Sequence, residues 1–205
     1  MLITNLQDHF TKELKGAIHI GAHYGEEKKW YEQNKINPVV WIEANPNYLE
    51  KIKSIVGNDM VIISGVGNEN KKELFNISNN GESSSFLELH THKIKHPDVF
   101  YVEKIEVEIK RMSDLIKEYS LNMNDYNFLN LDIQGFELEA LKGFDNHINN
   151  FDYIYSEVNS DYLYKDCALI NEIDEYLIEF GFQRVETSMW SDCGWGDALY
   201  KKNNI

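Results

Sequence analysis

The chain has 205 residues, 42% of them apolar and 26% charged, a balance typical of a globular protein. Acidic residues outnumber basic ones 34 to 20, a formal net charge of -14. With no Lys/Arg-rich run to meet a phosphate backbone, a nucleic-acid partner is not expected. No apolar stretch is long enough for a membrane span, and MLITNLQDHFTKELK lacks the basic start and apolar middle of a signal peptide. Stable membrane insertion is therefore not expected, and a cytoplasmic location is the default.

In chain order, Gly16–Ala22 reads as a buried strand bounded by glycine, and Glu26–Asn34 as a helix with acids in its first turn. Val39–Ala44 is a second strand. Pro46–Val56 is a helix with proline at its start and Gly57 past its end. Met60–Val66 is a third strand. This β-α-β-α-β order predicts a parallel sheet with helices on both faces. Lys72–Ser78 and Lys104–Lys110 alternate like exposed or edge strands, and NNGESSSFLELHTHKIKHPD between them reads as a long loop. Ser113 is a candidate cap for the helix SDLIKEY. Asn127–Ile133 is a strand, Phe136–Lys142 a helix ended by Gly143, and Tyr153–Val158 a strand. Leu169–Phe180 is a helix ended by Gly181. Phe182–Thr187 and Ala198–Lys201 close the chain as strands around the loop SMWSDCGWGD. Without linker, repeat or low-complexity segment, residues 1–205 are expected to form a single domain. Cys167 and Cys193, far apart, are expected to be reduced thiols rather than a metal pair.

In an open α/β sheet, ligands bind beyond the carboxyl ends of the strands. Gly21, His23 and Gly25 follow the first strand, Glu43 and Asn45 end the second, and Gly65, Gly67 and Asn68 follow the third. Asp132, Gln134 and Gly135 follow the strand after the long loop, and Glu157 and Asn159 the next. A glycine-rich first turn, with an acid about 20 residues on, suits a cofactor bound through its ribose. The turn is G-x-H-x-G and lacks the full pyrophosphate fingerprint. A ribose-bearing cofactor without a phosphate fits better, and S-adenosylmethionine is the leading candidate.

Four segments carry a family resemblance: AIHIGAHYGEE, VVWIEANPNYLEKIK, NFLNLDIQGFELEALKGF and YIYSEVN, together spanning Ala17 to Asn159. The sequence resembles the FkbM-type methyltransferases, which are S-adenosylmethionine-dependent O-methyltransferases. It keeps Asp132, Gly135, Glu137, Leu141 and Gly143 of that pattern. It departs at Asn130 and Gln134, where the family tends to have Lys and Glu, and at His19, where an Asp is usual.

The resemblance implies a Rossmann-like class I fold, with a mostly parallel seven-stranded sheet and an antiparallel C-terminal strand. It implies that Gly21, Ala22, His23 and Gly25 line the methionine end of the cofactor, with Glu43, Ala44 and Asn45 at the ribose. Gly65, Val66, Gly67 and Ser84 would approach or close over the adenine, and Asp132 would lie beside the transferred methyl. A sugar or glycan acceptor is the implied substrate class, with Ser85, Gln134, Glu157, Asn159, Tyr162, Trp190 and Trp195 as candidate contacts.

A sugar hydroxyl is a poor nucleophile, and a carboxylate or histidine that takes its proton assists the attack. Asp132, Glu157 and His23 are the candidates. Each has a plainer reading: Asp132 as a helix cap, Glu157 as a carboxylate bonded to a loop amide, His23 as a ring satisfied by backbone. His90, His92 and His96 are expected to be exposed loop histidines, and no obligatory metal is expected. The aromatic residues Tyr162, Tyr164, Trp190 and Trp195 suit stacking on a sugar, or ordinary packing. Glu137 is expected to be structural. The departures at Asn130 and Gln134 leave a second reading open, a non-catalytic S-adenosylmethionine-binding partner of a glycosyltransferase. Methylation of a small secondary metabolite is a further alternative, and a nucleotide-dependent oxidoreductase of related fold is a third.

Overall fold

The computed structural model describes residues 1–203. Its main sheet is built from β1 (Gly16–Ile20), β2 (Val39–Glu43), β3 (Met60–Ile63), β7 (Tyr126–Leu131), β8 (Tyr153–Asn159), β9 (Phe182–Met189) and β10 (Trp195–Lys202). The strand order is β3-β2-β1-β7-β8-β10-β9. The contacts among β3, β2, β1, β7 and β8 are all parallel, and β10 runs antiparallel to both β8 and β9. This is the Rossmann-like class I methyltransferase arrangement, with its one reversed strand near the C-terminus.

Every residue of β1, β2, β7 and β8 is buried, because helices cover both faces. On one face α1 (Lys28–Gln33) and α2 (Leu49–Val56) pack with the N-terminal segment around Tyr31, Trp41, Phe128 and Tyr153. On the other, residues of α4 (Met112–Glu118), α5 (Glu137–Lys142) and α6 (Ile170–Glu179) pack with Ile18, Ile20, Leu129 and Ile154.

A second sheet, of order β4-β6-β5, unites β4 (Gly65–Val66), β5 (Lys71–Ser78) and β6 (Tyr101–Lys110). The two segments that alternate in sequence are thus each other's antiparallel partners. The strand predicted over Met60–Val66 is in fact divided. Ser64 donates its backbone N–H to the Glu43 carbonyl and its hydroxyl to the Gly65 and Glu108 carbonyls, and the chain then crosses to pair with β6. Gly65 lets the ring of Phe86 close in, since a Cβ there would lie 2.6 Å from it.

The segment between β5 and β6 is more ordered than the sequence suggests. It contains α3 (His92–Lys95) and two bridges, Asn76–Ser85 and Leu89–Tyr164. Ser113 does not cap its helix: Arg111 holds that position, and the Ser113 amide donates to the Gly143 carbonyl. Gly143 does end its helix, as the C-cap, with φ -67°. Its value is the missing side chain, since a Cβ would lie 2.3 Å from the Gly67 carbonyl oxygen.

Strand register prepares the site. His19, Asn130 and Tyr155 are neighbours across β1, β7 and β8, and Leu199 of β10 lies beside Tyr155. Two residues further on, the period of two returns Asp132 and Glu157 to the same face, with Asp197 beside Glu157. One face of the sheet therefore carries a row of acids at its carboxyl edge.

Glu137, fully buried, accepts the amides of Ile133 (3.0 Å) and Gly135 (3.1 Å) and holds the turn into α5. Burial pushes its carboxyl up from 4.5 to about 7, and Asp132 adds to the rise. The folded state keeps this proton where the unfolded state has lost it. Stability from this group is thus present at low pH and lost as pH rises from about 4.5 to 7. Glu137→Gln should flatten that decline, which urea unfolding at a series of pH values will measure.

Candidate active site

The turn after β1 brings the backbone close to its neighbours. Gly21 has φ +91°, and a Cβ there would lie 1.8 Å from the Asp132 carbonyl oxygen. Only glycine satisfies both constraints. The Gly21 and Ala22 amides donate to the Ile42 carbonyl at 2.9 and 3.0 Å, and His23 follows with φ 44°.

Glu43 is clamped at the end of β2. Its Oε2 accepts the His23 amide and its Oε1 the Asn45 amide, both at 2.8 Å. Burial raises its carboxyl from 4.5 to about 7 against the pull of these bonds. The remaining lone pairs of the two oxygens are available to a pair of ligand hydroxyls. Around it stand His23, Tyr24 and Tyr48, with ring centroids 3.9 to 5.2 Å apart.

Two adjoining cavities open here. The smaller, about 60 Å³, is an apolar slot with a polar end, where Ile42, Ala44, Val66 and Phe86 face Glu43, Tyr48 and Ser84. The larger, about 450 Å³, runs past Gly21, Ala22, Asp132 and Glu157 to Trp195 and Asp197. Gly21, His23, Asp132 and Gln134 line both and mark their junction.

At that junction the Gln134 amide Nε2 donates to Asp132 Oδ1 (2.8 Å) and to Glu157 Oε2 (2.6 Å). The Tyr164 hydroxyl donates to Gln134 Oε1 at 2.5 Å. Glu157 is raised well above the usual carboxyl range, first by burial and then by the nearby charges of Asp132 and Glu137. A neighbouring chain of polar groups lies deeper. The Asn130 amide donates to the Tyr31 hydroxyl (3.0 Å), which bonds His19 Nδ1 (3.1 Å). Burial lowers His19, so this ring is neutral.

Several predicted residues line neither cavity. Gly25 is structural in its contacts: a Cβ there would meet Val56 at 2.7 Å. The Asn45 side chain accepts the Asn47 amide, and Gly67 packs against Ile109 and Phe136. The Ser85 hydroxyl is spent behind the wall, donating to the Gln134 carbonyl and accepting the Leu87 amide. Asn159 is fully buried with both side-chain polar atoms unpartnered. Tyr162 and Trp190 are about half exposed, and Trp190 stacks on Trp195 with centroids 5.8 Å apart.

Other residues at the site carry no local signal in the sequence. His92 was expected to be exposed, yet it is buried, and it lines the larger cavity with His96. Backbone bonds from His90 and His92 to the Leu163 carbonyl dock this segment on the cleft, a long-range contact invisible in the local pattern. Asp197, bonded to the Tyr155 hydroxyl, was readable only through strand register. Among the described residues no group of three or more His, Cys, Asp or Glu is arranged to hold a metal ion, and no helix is long and apolar enough to cross a membrane.

The chain matches the family described as the methyltransferase FkbM domain over residues 19–184, most of its length. It belongs to the FkbM methyltransferase family and is an S-adenosylmethionine-dependent methyltransferase. Among solved structures, a ribosomal protein L11 methylase from Lactobacillus delbrueckii subsp. bulgaricus is similar at a TM-score of 0.52 and 10% identity, covering 97% of this chain and 75% of that one. A protein of the NADB-Rossmann superfamily from Streptococcus agalactiae is similar at 0.52 and 9% identity, covering 100% and 70%. At these identities the likeness concerns the fold. No curated protein matches the sequence.

Gly21→Ala should destabilise the protein by more than about 2 kcal/mol, since backbone must move to admit the methyl group. Gly57→Ala makes a control. Its φ is also positive (+70°), but no atom lies within 4 Å of the added Cβ. It carries the strain of an unusual backbone conformation without the clash, so its cost should be the smaller of the two, and denaturant unfolding compares them.

Proposed function

We propose that this protein moves a methyl group from S-adenosylmethionine to a hydroxyl of a sugar or glycan, within a single domain spanning residues 1–205. The observation that carries this reading is the position of the Asp132–Gln134–Glu157 cluster at the junction of the two cavities. One cavity has the apolar slot and carboxylate suited to a nucleoside, and the other has room for an acceptor.

The residues fit the cofactor. Glu43 would hold the ribose hydroxyls, and the bare backbone at Gly21 and Ala22 would admit the methionine end. Ile42, Ala44, Val66 and Phe86 would enclose the adenine. Bound there, the cofactor supplies an electrophilic methyl on a sulfonium. The chain's own part is to orient the acceptor oxygen and receive its proton. Asp132 is the proposed acceptor of that proton, held in place by the Gln134 amide. Glu157 shares the same amide and, with its carboxyl raised, is suited to hydrogen-bond a second acceptor hydroxyl. His23 is assigned to the cofactor side, because its Nδ1 is engaged by Glu26 at 2.7 Å. Trp195, backed by Trp190, gives the cleft an aromatic wall on which a sugar ring can stack.

Calorimetric titration with S-adenosylmethionine tests the cofactor site. Glu43→Gln should weaken binding at least about tenfold, the scale of a lost hydrogen bond to a charged group. Because burial holds the Glu43 proton up to about 7, wild-type affinity should rise from pH 6 to pH 8 as the carboxylate forms, and the variant should not follow.

Methyl transfer to a panel of sugars tests the reaction. Asp132→Asn should lower turnover by roughly 10²–10⁴ while cofactor affinity changes little, the range for a lost general base. Cofactor binding without transfer to any hydroxyl acceptor would instead favour the non-catalytic partner of a glycosyltransferase.

A further inference from the structure

The larger cleft is rich in acids, and the Met1 amino group is a cation at its wall. Six carboxyl side chains line it: Glu26, Glu27, Glu82, Asp132, Glu157 and Asp197. Among the described residues no Lys or Arg lines it. Lys95, on the α3 segment beside the cleft histidines, is held at 2.8 Å by Asp161.

The histidines do little to balance the acids. Burial keeps His19 neutral, and burial together with His96 lowers His92 to about 4. Burial pulls His23 down, but Glu26 more than offsets this, so any charge on His23 is already paired at 2.7 Å. Burial raises Asp197, and the charge of Asp132 adds to the rise. S-adenosylmethionine, with a sulfonium, an ammonium and a carboxylate, brings a net charge of only about +1 at neutral pH. With the cofactor in place the six carboxyl groups still outnumber the cationic groups around them.

A second observation concerns hydrogen bonding. His92 is 5% exposed and lines the same cleft, yet its Nδ1 is buried without a partner. A buried polar atom left unpaired is costly, and a ligand group at this position would satisfy it.

We propose that the cleft takes a polyhydroxylated acceptor carrying an ammonium group, of the amino-sugar class, and rejects anionic acceptors such as uronic acids and sugar phosphates. The ammonium sits against the acidic wall, and a neighbouring polar group of the acceptor bonds His92. This rests on reading the larger cleft as the acceptor site. A charge-assisted hydrogen bond in a half-enclosed cleft is strong enough to decide which acceptors bind. Repulsion by the same wall excludes anions.

The test is a set of calorimetric titrations on the full chain, with and without S-adenosylhomocysteine, below the pKa of the amine. The three probes are glucosamine (cationic), N-acetylglucosamine (neutral) and glucuronate (anionic). Glucosamine is expected to bind about tenfold or more tighter than N-acetylglucosamine, with no detectable binding of glucuronate. The preference should shrink in high salt and in Glu157→Gln, a near-isosteric change whose folding is checked by thermal unfolding. Equal or tighter binding of either other probe, or binding by none of the three, would overturn the proposal. Failure of S-adenosylhomocysteine to bind would instead strike the methyltransferase reading, while the sugar comparison still reports the charge preference of the cleft.

Discussion

The close approach of Gly21 to the Asp132 carbonyl is the constraint on which the site depends. β1 and β7 are adjacent parallel strands, and strand order reverses between them. The chain leaving β1 turns toward β2, and the chain leaving β7 turns the other way, so a crevice opens where they part. Its width follows from how tightly the two ends meet. A side chain at Gly21 would push the β1 turn away from Asp132, and with it the His23 amide that fixes Glu43. The nucleoside side and the acceptor side are therefore joined through a few backbone atoms.

The same edge sets an electrostatic problem. Register places Asp132, Glu157 and Asp197 together on one face, with no Lys or Arg lining the cleft among the described residues. Buried carboxylates without a cation must be solvated by fixed dipoles or hold a proton. Both devices are present. Glu43 has two backbone amides, Glu137 has two more, and Asp197 has the Leu2 amide and the Tyr155 hydroxyl. Glu157, with only the Gln134 amide, carries the upward shift that follows from weaker solvation. Polar atoms left over, among them those on His92, His96 and Asn159, are ones that packing alone does not satisfy.

Much of this was legible in the sequence, for physical reasons. Short apolar runs ending in glycine or an acid gave the central strands, because strands covered on both faces need apolar side chains throughout. The spacing of Gly21 and Gly25 from Glu43 located the first two turns. What escaped depends on contacts between distant segments. His92 looks like a polar loop residue, and only its docking on Leu163 buries it. The break at Ser64 is hard to see within a short, mostly apolar run, because the choice of sheet is made by pairing with β6, more than forty residues later. Ser113 fits the local rule for a helix cap, but the helix already begins at Met112, and the Ser113 amide bonds the distant Gly143 carbonyl. Gly143 ends its helix as the sequence suggests, but nothing local shows that its missing side chain also lets the Gly67 turn approach.

Gln134 shows how a departure from the family pattern becomes intelligible. A carboxylate there would stand between Asp132 and Glu157 as a third negative charge, and such a trio calls for a cation. An amide reverses the sign of the contact, since its NH₂ donates to both acids at once. The orientation of that amide is fixed independently, because the Tyr164 hydroxyl donates to its oxygen and leaves only the nitrogen to face the carboxylates. The backbone bears a cost, since Gln134 holds φ 57°, which a side-chain-bearing residue adopts only when its surroundings require it. Here the requirement is visible: the Gln134 carbonyl is tied to the Ser85 hydroxyl while its side chain bridges two strands. The strained turn and the amide bridge thus form one device that holds two acids side by side without a cation.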